Sequence, residues 1–318
     1  MSFIKDLYKD EIRDGFLVTV DRKRLWNVQI ELIVEFQRIC KKYDLKYFAH
    51  AGTMLGAARH KGFIPWDDDV DLAMLRPDYE KFKQVAPKEL KEPYYFDAWY
   101  NNDFPTVDPY ACGWPVLCPF IKIRDERTTM IEAPRRRDTH QGIWIDVFPF
   151  EPVPPFNNQQ DLLVYLVKSE ISCMIMNPDM VRAEMAKGRQ FVLSRDSIES
   201  FLKMSFREKT LNFENFCAVN FRETEFVLST AEMFNKVKKR CETKWFESII
   251  ELPFENITIA APKNYDKFLT ASYGDWHKMI RGASSHNVKD ISANISYKDY
   301  FDLTFDDEVL PHLRGGGN

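Results

Sequence analysis

The chain has 318 residues, of which 45% are hydrophobic and 29% charged, enough apolar material for one large domain or two modest ones with buried cores. Its 44 Lys and Arg against 48 Asp and Glu leave a formal net charge of −4; with no basic excess to hold a polyphosphate backbone, nucleic acid is set aside as the main partner. The amino terminus, "MSFIKDLYKDEIRDG", lacks the apolar stretch of a secretory signal, and the longest apolar run of the central helices, Leu162 to Val167, falls far short of the ~20 residues that cross a bilayer. The expectation is a cytoplasmic protein without a membrane span.

Taken in chain order, "LWNVQIELIVEFQRIC" places Leu25, Val28, Leu32, Phe36 and Ile39 at steps of three and four, which predicts a helix over 21–42 with one buried face. Short β-type segments follow at 47–50, 70–75, 94–100, 120–123 and 142–148, read as neighbouring strands of one sheet. "RPDYEKFKQVA" carries Pro77 where a first helical turn tolerates it, so a helix separates the second and third strands. "EPVPPFNNQQ" sets three prolines within the five residues from Glu151 and marks a subdomain boundary. From about 158 to 248, "QDLLVYLVKSEISCMIM" and "TAEMFNKVKKRCETKWF" read as helices of a cap or layer. "APKNYDKFLTASYGDW" reads as a further helix started by Pro262 and closed by a Tyr-Gly-Asp turn, and the final "RGGGN" as a loose tail. The fold class is therefore α+β: a mixed sheet with flanking helices over 1–155, then a mostly helical half over 156–318. Six cysteines, at 40, 112, 118, 173, 217 and 241, form no C-x-x-C pair and read as reduced and packed rather than ligating.

The chemistry concentrates in "FIPWDDDVDLAM", where four aspartates occupy five positions. Side chains alternate along a strand, so Asp69 and Asp71 share a face ~6–7 Å apart and can converge on divalent metal. Asp67 and Asp68, following Pro65 and Trp66, belong to the entering turn in supporting roles. An EF-hand counted from Asp67 needs Gly where Leu72 stands and Glu where Asp78 stands. An Asp-Asp-x-x-Asp prenyl-diphosphate motif works on a helix, whereas this stretch looks like strand. Asp146 in "IWIDVF" is alone among apolar neighbours, and a carboxylate buried there requires a partner or a metal. A solvated acidic loop, and for Asp146 an ion pair with Arg124 or Arg135, are the bland alternatives. In "AGTMLG", Gly52 and Thr53 follow the strand ending at His50, where N–H groups and a hydroxyl can face phosphate oxygens. Arg59, His60 and Lys61 precede the cluster, and Lys122, Arg124 and Arg127 follow it. Lys122 and Arg124 share one strand face, whereas residues 135–137 read as a solvated loop.

"AGTMLGAARHKGFIPWDDDVDLAM", "RPDYEKF", "KIRDERTTMIE", "GIWIDVFPFEPVP" and "YDKFLTASYGDW" together resemble the LicD family of phosphocholine transferases, which also takes in the fukutin-related proteins. The resemblance spans roughly 47–155 and 257–287, the second segment returning to the site. It implies a nucleotidyltransferase-like fold and a CDP-activated donor, from which a phospho-alcohol passes to a glycan hydroxyl with release of CMP. Carried over by position, Asp69, Asp71 and Asp146 would bind magnesium or manganese, Gly52 and Thr53 would hold phosphate, and Arg59 and Lys61 would lie near the same pocket. Arg124, His286 and Trp66 are additions to that set, and Lys122 joins it from the strand-face reading above.

In line attack by the acceptor hydroxyl would then rest on positioning and electrostatics, with Asp146, or Asp68 if the turn brings it round, orienting or deprotonating the acceptor. A choline group would call for aromatic faces around a quaternary ammonium, for which Trp66 and Trp144 are the candidates ahead of Trp99 and Trp114. Phosphocholine from CDP-choline is the leading donor, with CDP-ribitol, CDP-glycerol and CDP-ethanolamine beside it. A lipid-linked acceptor would bring the protein to the inner face of the membrane as a peripheral partner. A D-x-D glycosyltransferase using a nucleotide sugar is the alternative enzyme, and an acidic metal- or choline-binding module the non-enzymatic one.

Overall fold

The computed structural model describes residues 4–101, 120–132, 139–153, 158–230, 240–281 and 290–304. Cys112, Cys118, Trp114, His286, residues 135–137 and the closing "RGGGN" lie outside the described residues. The chain opens with a small hairpin, β1 (Glu11–Arg13) and β2 (Phe16–Val18), and enters α1 (Val20–Lys42). The Thr19 hydroxyl caps α1 by accepting the Arg22 N–H, and Leu25, Val28, Leu32, Phe36 and Ile39 are buried as their spacing requires. β3 (Phe48–Ala49), α2 (Ala51–His60), β4 (Asp71–Leu75) and α3 (Arg76–Glu89) follow, the last with its proline in the first turn. Next come β5 (Tyr94–Ala98), β6 (Ile121–Asp125), β7 (Thr129–Met130) and the ten-residue β8 (Trp144–Val153).

β8 organises the sheet. One edge pairs in parallel with β4, from Asp71 opposite Asp146 to Leu75 opposite Phe150. The other edge is shared: residues 144–147 pair antiparallel with β6, and residues 150–153 with β9 (Phe226–Ser229). β3 extends the sheet beyond β4, β5 beyond β6, and β10 (Cys241–Glu242) beyond β9. β8 is thus covered along both edges, and its side chains are almost all buried, which explains a nearly continuous apolar run rather than alternation.

Between β8 and β9 the chain forms α4 (Gln159–Met176), α5 (Pro178–Ala186), α6 (Arg195–Lys203) and α7 (Phe206–Val219). Ile171, Met174, Val181, Ile198 and Phe213 build a second apolar core there, and Trp99 belongs to it rather than to the acidic site. The first helical run matches α4. The second is corrected: Cys241–Glu242 is a strand and Thr243–Phe246 a 3-10 turn, while 231–239 lies outside the described residues. The chain then makes a hairpin that the sequence reading passed over, β11 (Ile249–Phe254) and β12 (Ile257–Pro262), before α8 (Tyr265–Tyr273). Pro262 therefore ends a strand instead of starting the helix. β13 (Ile291–Ser292) pairs with β7, and α9 (Tyr297–Thr304) follows. No helix among the described residues is long and apolar enough to cross a membrane.

Candidate active site

Two parallel strands bring the central carboxylates together. Asp71 opens β4 and stands opposite Asp146 of β8, and the Asp146 N–H donates to the Val70 carbonyl at 2.9 Å. The main chain, not any attraction between the side chains, fixes this pair. Strand pairing begins only at Asp71 and Asp67 to Val70 have no regular secondary structure, so the strand alternation expected for Asp69 does not apply. α1 grips this segment by its carbonyls: Arg22 Nη1 and Trp26 Nε1 donate to the Asp67 carbonyl at 2.9 and 3.0 Å, and Gln29 Nε2 to that of Asp68 at 2.8 Å. Carboxylate oxygens of Asp67, Asp68 and Asp69 lie within 4.8 Å of one another.

The amino-terminal turn of α2 closes the other side. Gly52 and Thr53 sit inside that turn rather than in a loop before it. The Asp71 N–H donates to Thr53 Oγ1 at 2.8 Å, and the His50 N–H to the Asp71 carbonyl at 2.9 Å. A Cβ on Gly52 would stand 2.5 Å from Asp67 Oδ2. Glycine therefore lets this carboxylate lie against the positive end of a helix, where N–H groups lack intrahelical partners.

The electrostatics carry the signature of crowded like charges. Burial, followed by the charge of Asp69, pushes Asp67 up to about 8 and Asp71 well above the usual carboxylate range. Burial also lifts Asp146 to about 6 against the pull of Lys122. Asp146 Oδ2 accepts the Trp144 indole N–H at 3.2 Å, whereas its buried Oδ1 has no hydrogen bond and lies 3.6 Å from Lys122 Nζ. An orphaned carboxylate oxygen beside further aspartates fits a hard divalent cation, which selects oxygen ligands. Asp69, Asp71 and Asp146 are the residues that would hold it, with Asp67 alongside.

Lys122 and Arg124 share a face of β6 as their alternation requires, but differ in what they have left to offer. Lys122, paired across the ladder with Asp146, sits 4.1 Å over the Trp144 ring and donates to Glu132 Oε1 at 2.5 Å. Arg124 is 3% exposed; it donates to Asp97 Oδ2 at 2.6 Å, Glu132 Oε2 at 2.5 Å and the Gly142 carbonyl at 3.2 Å, and lies 4.9 Å over the same indole. Trp144 already carries two cations on its ring. Trp66, next to Asp67, is half-buried and packs edge-on with Phe16 and His60, ring centroids 6.2 and 6.4 Å apart.

Asp68 turns to α1, its carboxylate 4% exposed as a residue and 3.6 Å from Arg22. Arg59 and Lys61 lie at the opposite end of α2 from Thr53, roughly 9 and 12 Å along its axis at ~1.5 Å per residue. Arg59 donates there to the carbonyls of Trp276 and Lys278. Sequence reasoning left out Asp67 as a member of the carboxylate group, and Glu132 and Asp97 as partners of the two β6 cations. Only the closing position of "KIRDERTTMIE" pointed to Glu132.

Residues 44–160 match the family described as LicD/FKTN/FKRP, nucleotidyltransferase domain. The lipopolysaccharide cholinephosphotransferase LicD of Haemophilus influenzae is 25% identical over 257 residues, covering 79% of this chain and 89% of that protein. The human and mouse ribitol 5-phosphate transferases FKRP are 42% identical over 45 residues, 14% of this chain and 9% of theirs. The matched segment contains Gly52, the four aspartates and Asp146, so the region of the chain that carries them resembles the nucleotidyltransferase domain shared by LicD and the fukutin-related transferases.

Proposed function

We propose that the chain transfers a phospho-alcohol from a CDP-alcohol to a hydroxyl of a cell-surface glycan or its lipid-linked precursor, releasing CMP in a magnesium-dependent reaction. The observation that carries this reading is the Asp71–Asp146 pair, opposed across parallel strands with one buried oxygen unsatisfied and further aspartates beside it. Such a group is costly when empty of counter-charge and suited to a diphosphate with its cation. Phosphocholine is the first donor to test, because similarity to a cholinephosphotransferase covers most of the chain. The FKRP match keeps ribitol phosphate in view.

When bound, the metal would neutralise charge developing on the departing CMP. The chain's own residues do the rest. Lys122 sits where a cation can meet phosphate oxygens beside Asp146, and Glu132 fixes its ammonium. The α2 amino terminus presents N–H groups to the same region. Asp146 would orient the acceptor hydroxyl or take its proton, a reading supported by Asp68 being turned towards Arg22 of α1. The deciding experiment is CMP release from CDP-choline, CDP-ribitol, CDP-glycerol and CDP-ethanolamine, with magnesium or EDTA, in the presence of a glycan acceptor. Magnesium-dependent release from one donor, lost in Asp71→Asn, supports the reading; turnover of a nucleotide sugar instead would overturn it in favour of a glycosyltransferase.

A further inference from the structure

The acidic segment is also held from a part of the chain that supplies no residue to the site. The β11–β12 hairpin turns at Glu255, whose φ of +51° is one that non-glycine residues seldom adopt, and whose N–H donates to the Lys61 carbonyl at 2.8 Å. The Glu255 side chain is 8% exposed. Its Oε1 accepts the Phe63 N–H at 3.2 Å and Arg13 Nη1 at 2.6 Å, and Oε2 accepts Arg13 Nη2 at 3.3 Å. A Cβ on Gly62 would stand 2.2 Å from the same Oε1, so the carboxylate occupies the space that a side chain at 62 would fill.

Phe63 then passes this constraint on. Its ring stacks on Trp26 at 4.7 Å, and the Trp26 indole N–H is one of the two donors on the Asp67 carbonyl. Glu255 therefore fixes the upstream end of segment 62–69 while α1 fixes its downstream end. Carboxylates packed this closely repel, and only an anchored backbone keeps them converged before a cation arrives.

We propose that Glu255 is a positioning residue that sets the spacing of the Asp67–Asp71 carboxylates and, through it, the affinity of the site for a divalent cation. The inference rests on the metal-dependent reading above. It is tested on the full chain without donor, by titrating Mn2+ and following the free ion by electron paramagnetic resonance, with the melting temperature recorded for each variant. Glu255→Ala should weaken Mn2+ binding about tenfold, and Glu255→Gln about threefold, because glutamine keeps an acceptor for the Phe63 N–H. Gly62→Ala should weaken it about tenfold by pushing on Oε1. In the Glu255→Ala background the same change should add less than about twofold, since the carboxylate it collides with is gone.

That coupling at the metal is not produced by a general loss of stability. Unchanged Mn2+ affinity in Glu255→Gln and Gly62→Ala, or strictly additive effects in the double variant, overturns the proposal. If Glu255→Ala does not fold, Glu255→Gln and Gly62→Ala decide it. Wild-type protein that binds no Mn2+ would instead bring down the metal reading itself, and this role of Glu255 with it.

Discussion

The same two strands carry two buried charge clusters of opposite design. At their amino ends, Asp71 and Asp146 face each other with Asp67 and Asp69 nearby, acid upon acid. Five residues further along the chain from each, Arg76 at the start of α3 and Glu151 of β8 meet. Arg76, 1% exposed, donates from Nε to Glu151 at 2.6 Å, makes a second, short contact to it through Nη2, and donates from Nη1 to Glu214 at 3.1 Å. Lys168 of α4 donates to the other Glu151 oxygen at 2.7 Å, and Lys83 to Glu214 at 2.7 Å. Glu80 accepts from both Arg76 Nη1 and Lys83, so three carboxylates answer three cations, and the partners come from α3, β8, α4 and α7. The balanced cluster ties the helical layer to the sheet; the unbalanced one is where the proposed cation would supply the missing charge. Burial alone does not separate a structural charge from a functional one, but local neutrality does.

The comparison is broken most sharply by removing one charge from each cluster. Asp71→Asn should lower CMP release by roughly two to three orders of magnitude, yet raise metal-free stability by about 1 kcal/mol by relieving repulsion; kinetics and denaturant unfolding on one preparation measure both. Glu151→Gln should do the reverse to stability, at a loss of about 3–5 kcal/mol, because Arg76 and Lys168 are left buried without a full counter-charge. If both variants move stability the same way, the distinction drawn here fails.

A third variant tests the mixed case. Burial pushes the Glu132 carboxyl up, but Lys122 and Arg124 overcome it and hold the group at about 2 against an ordinary 4.5. A carboxyl depressed in the folded state contributes stability that is fully present above its unfolded pKa and is lost as the pH falls from about 4.5 towards 2. The contribution is roughly 3 kcal/mol at neutral pH. Unfolding measured from pH 7 to pH 2 should therefore show a shallower acid decline in Glu132→Gln than in wild type. The smallest effect belongs to the surface pair of Arg38 with Glu89, 3.3 Å apart and open to solvent on the arginine side: Arg38→Ala should change stability by less than about 1 kcal/mol.

Much of this was legible in the chain itself. The face of α1 could be read because five apolar residues repeat locally, and β4 and β8 because their runs are long enough to show a pattern. Asp146 stood out because a carboxylate among Trp144, Ile145, Val147 and Phe148 is chemically out of place. The α2 turn was legible as glycine plus hydroxyl, though not that Thr53 would answer the Asp71 backbone. Asp69 was paired with Asp71 by strand alternation, a rule without force where no strand has formed, and Asp67 and Asp68 were given to the entering turn, where Asp67 lies against Gly52 and Asp68 towards Arg22. β9 and β10 are four and two residues long, too short to carry a period, and they join the sheet in turn, β9 on the edge of β8 and β10 on β9. Glu132, Asp97 and Glu255 act through partners distant in sequence, which no local pattern announces.

The parallel ladder between β4 and β8 has a kinetic meaning as well. Asp71 and Asp146 are 75 positions apart in the chain, so their alignment waits for a long loop to close, and closure entropy makes such pairings late events in folding. The repulsion between the acids is then met near the top of the folding barrier. Refolding of Asp71→Asn should outpace that of wild type in EDTA while the unfolding rates stay close; acceleration of unfolding instead would place the pairing after the barrier. The feature proposed to receive a cation would then be, on the way to the native state, the step that slows its arrival.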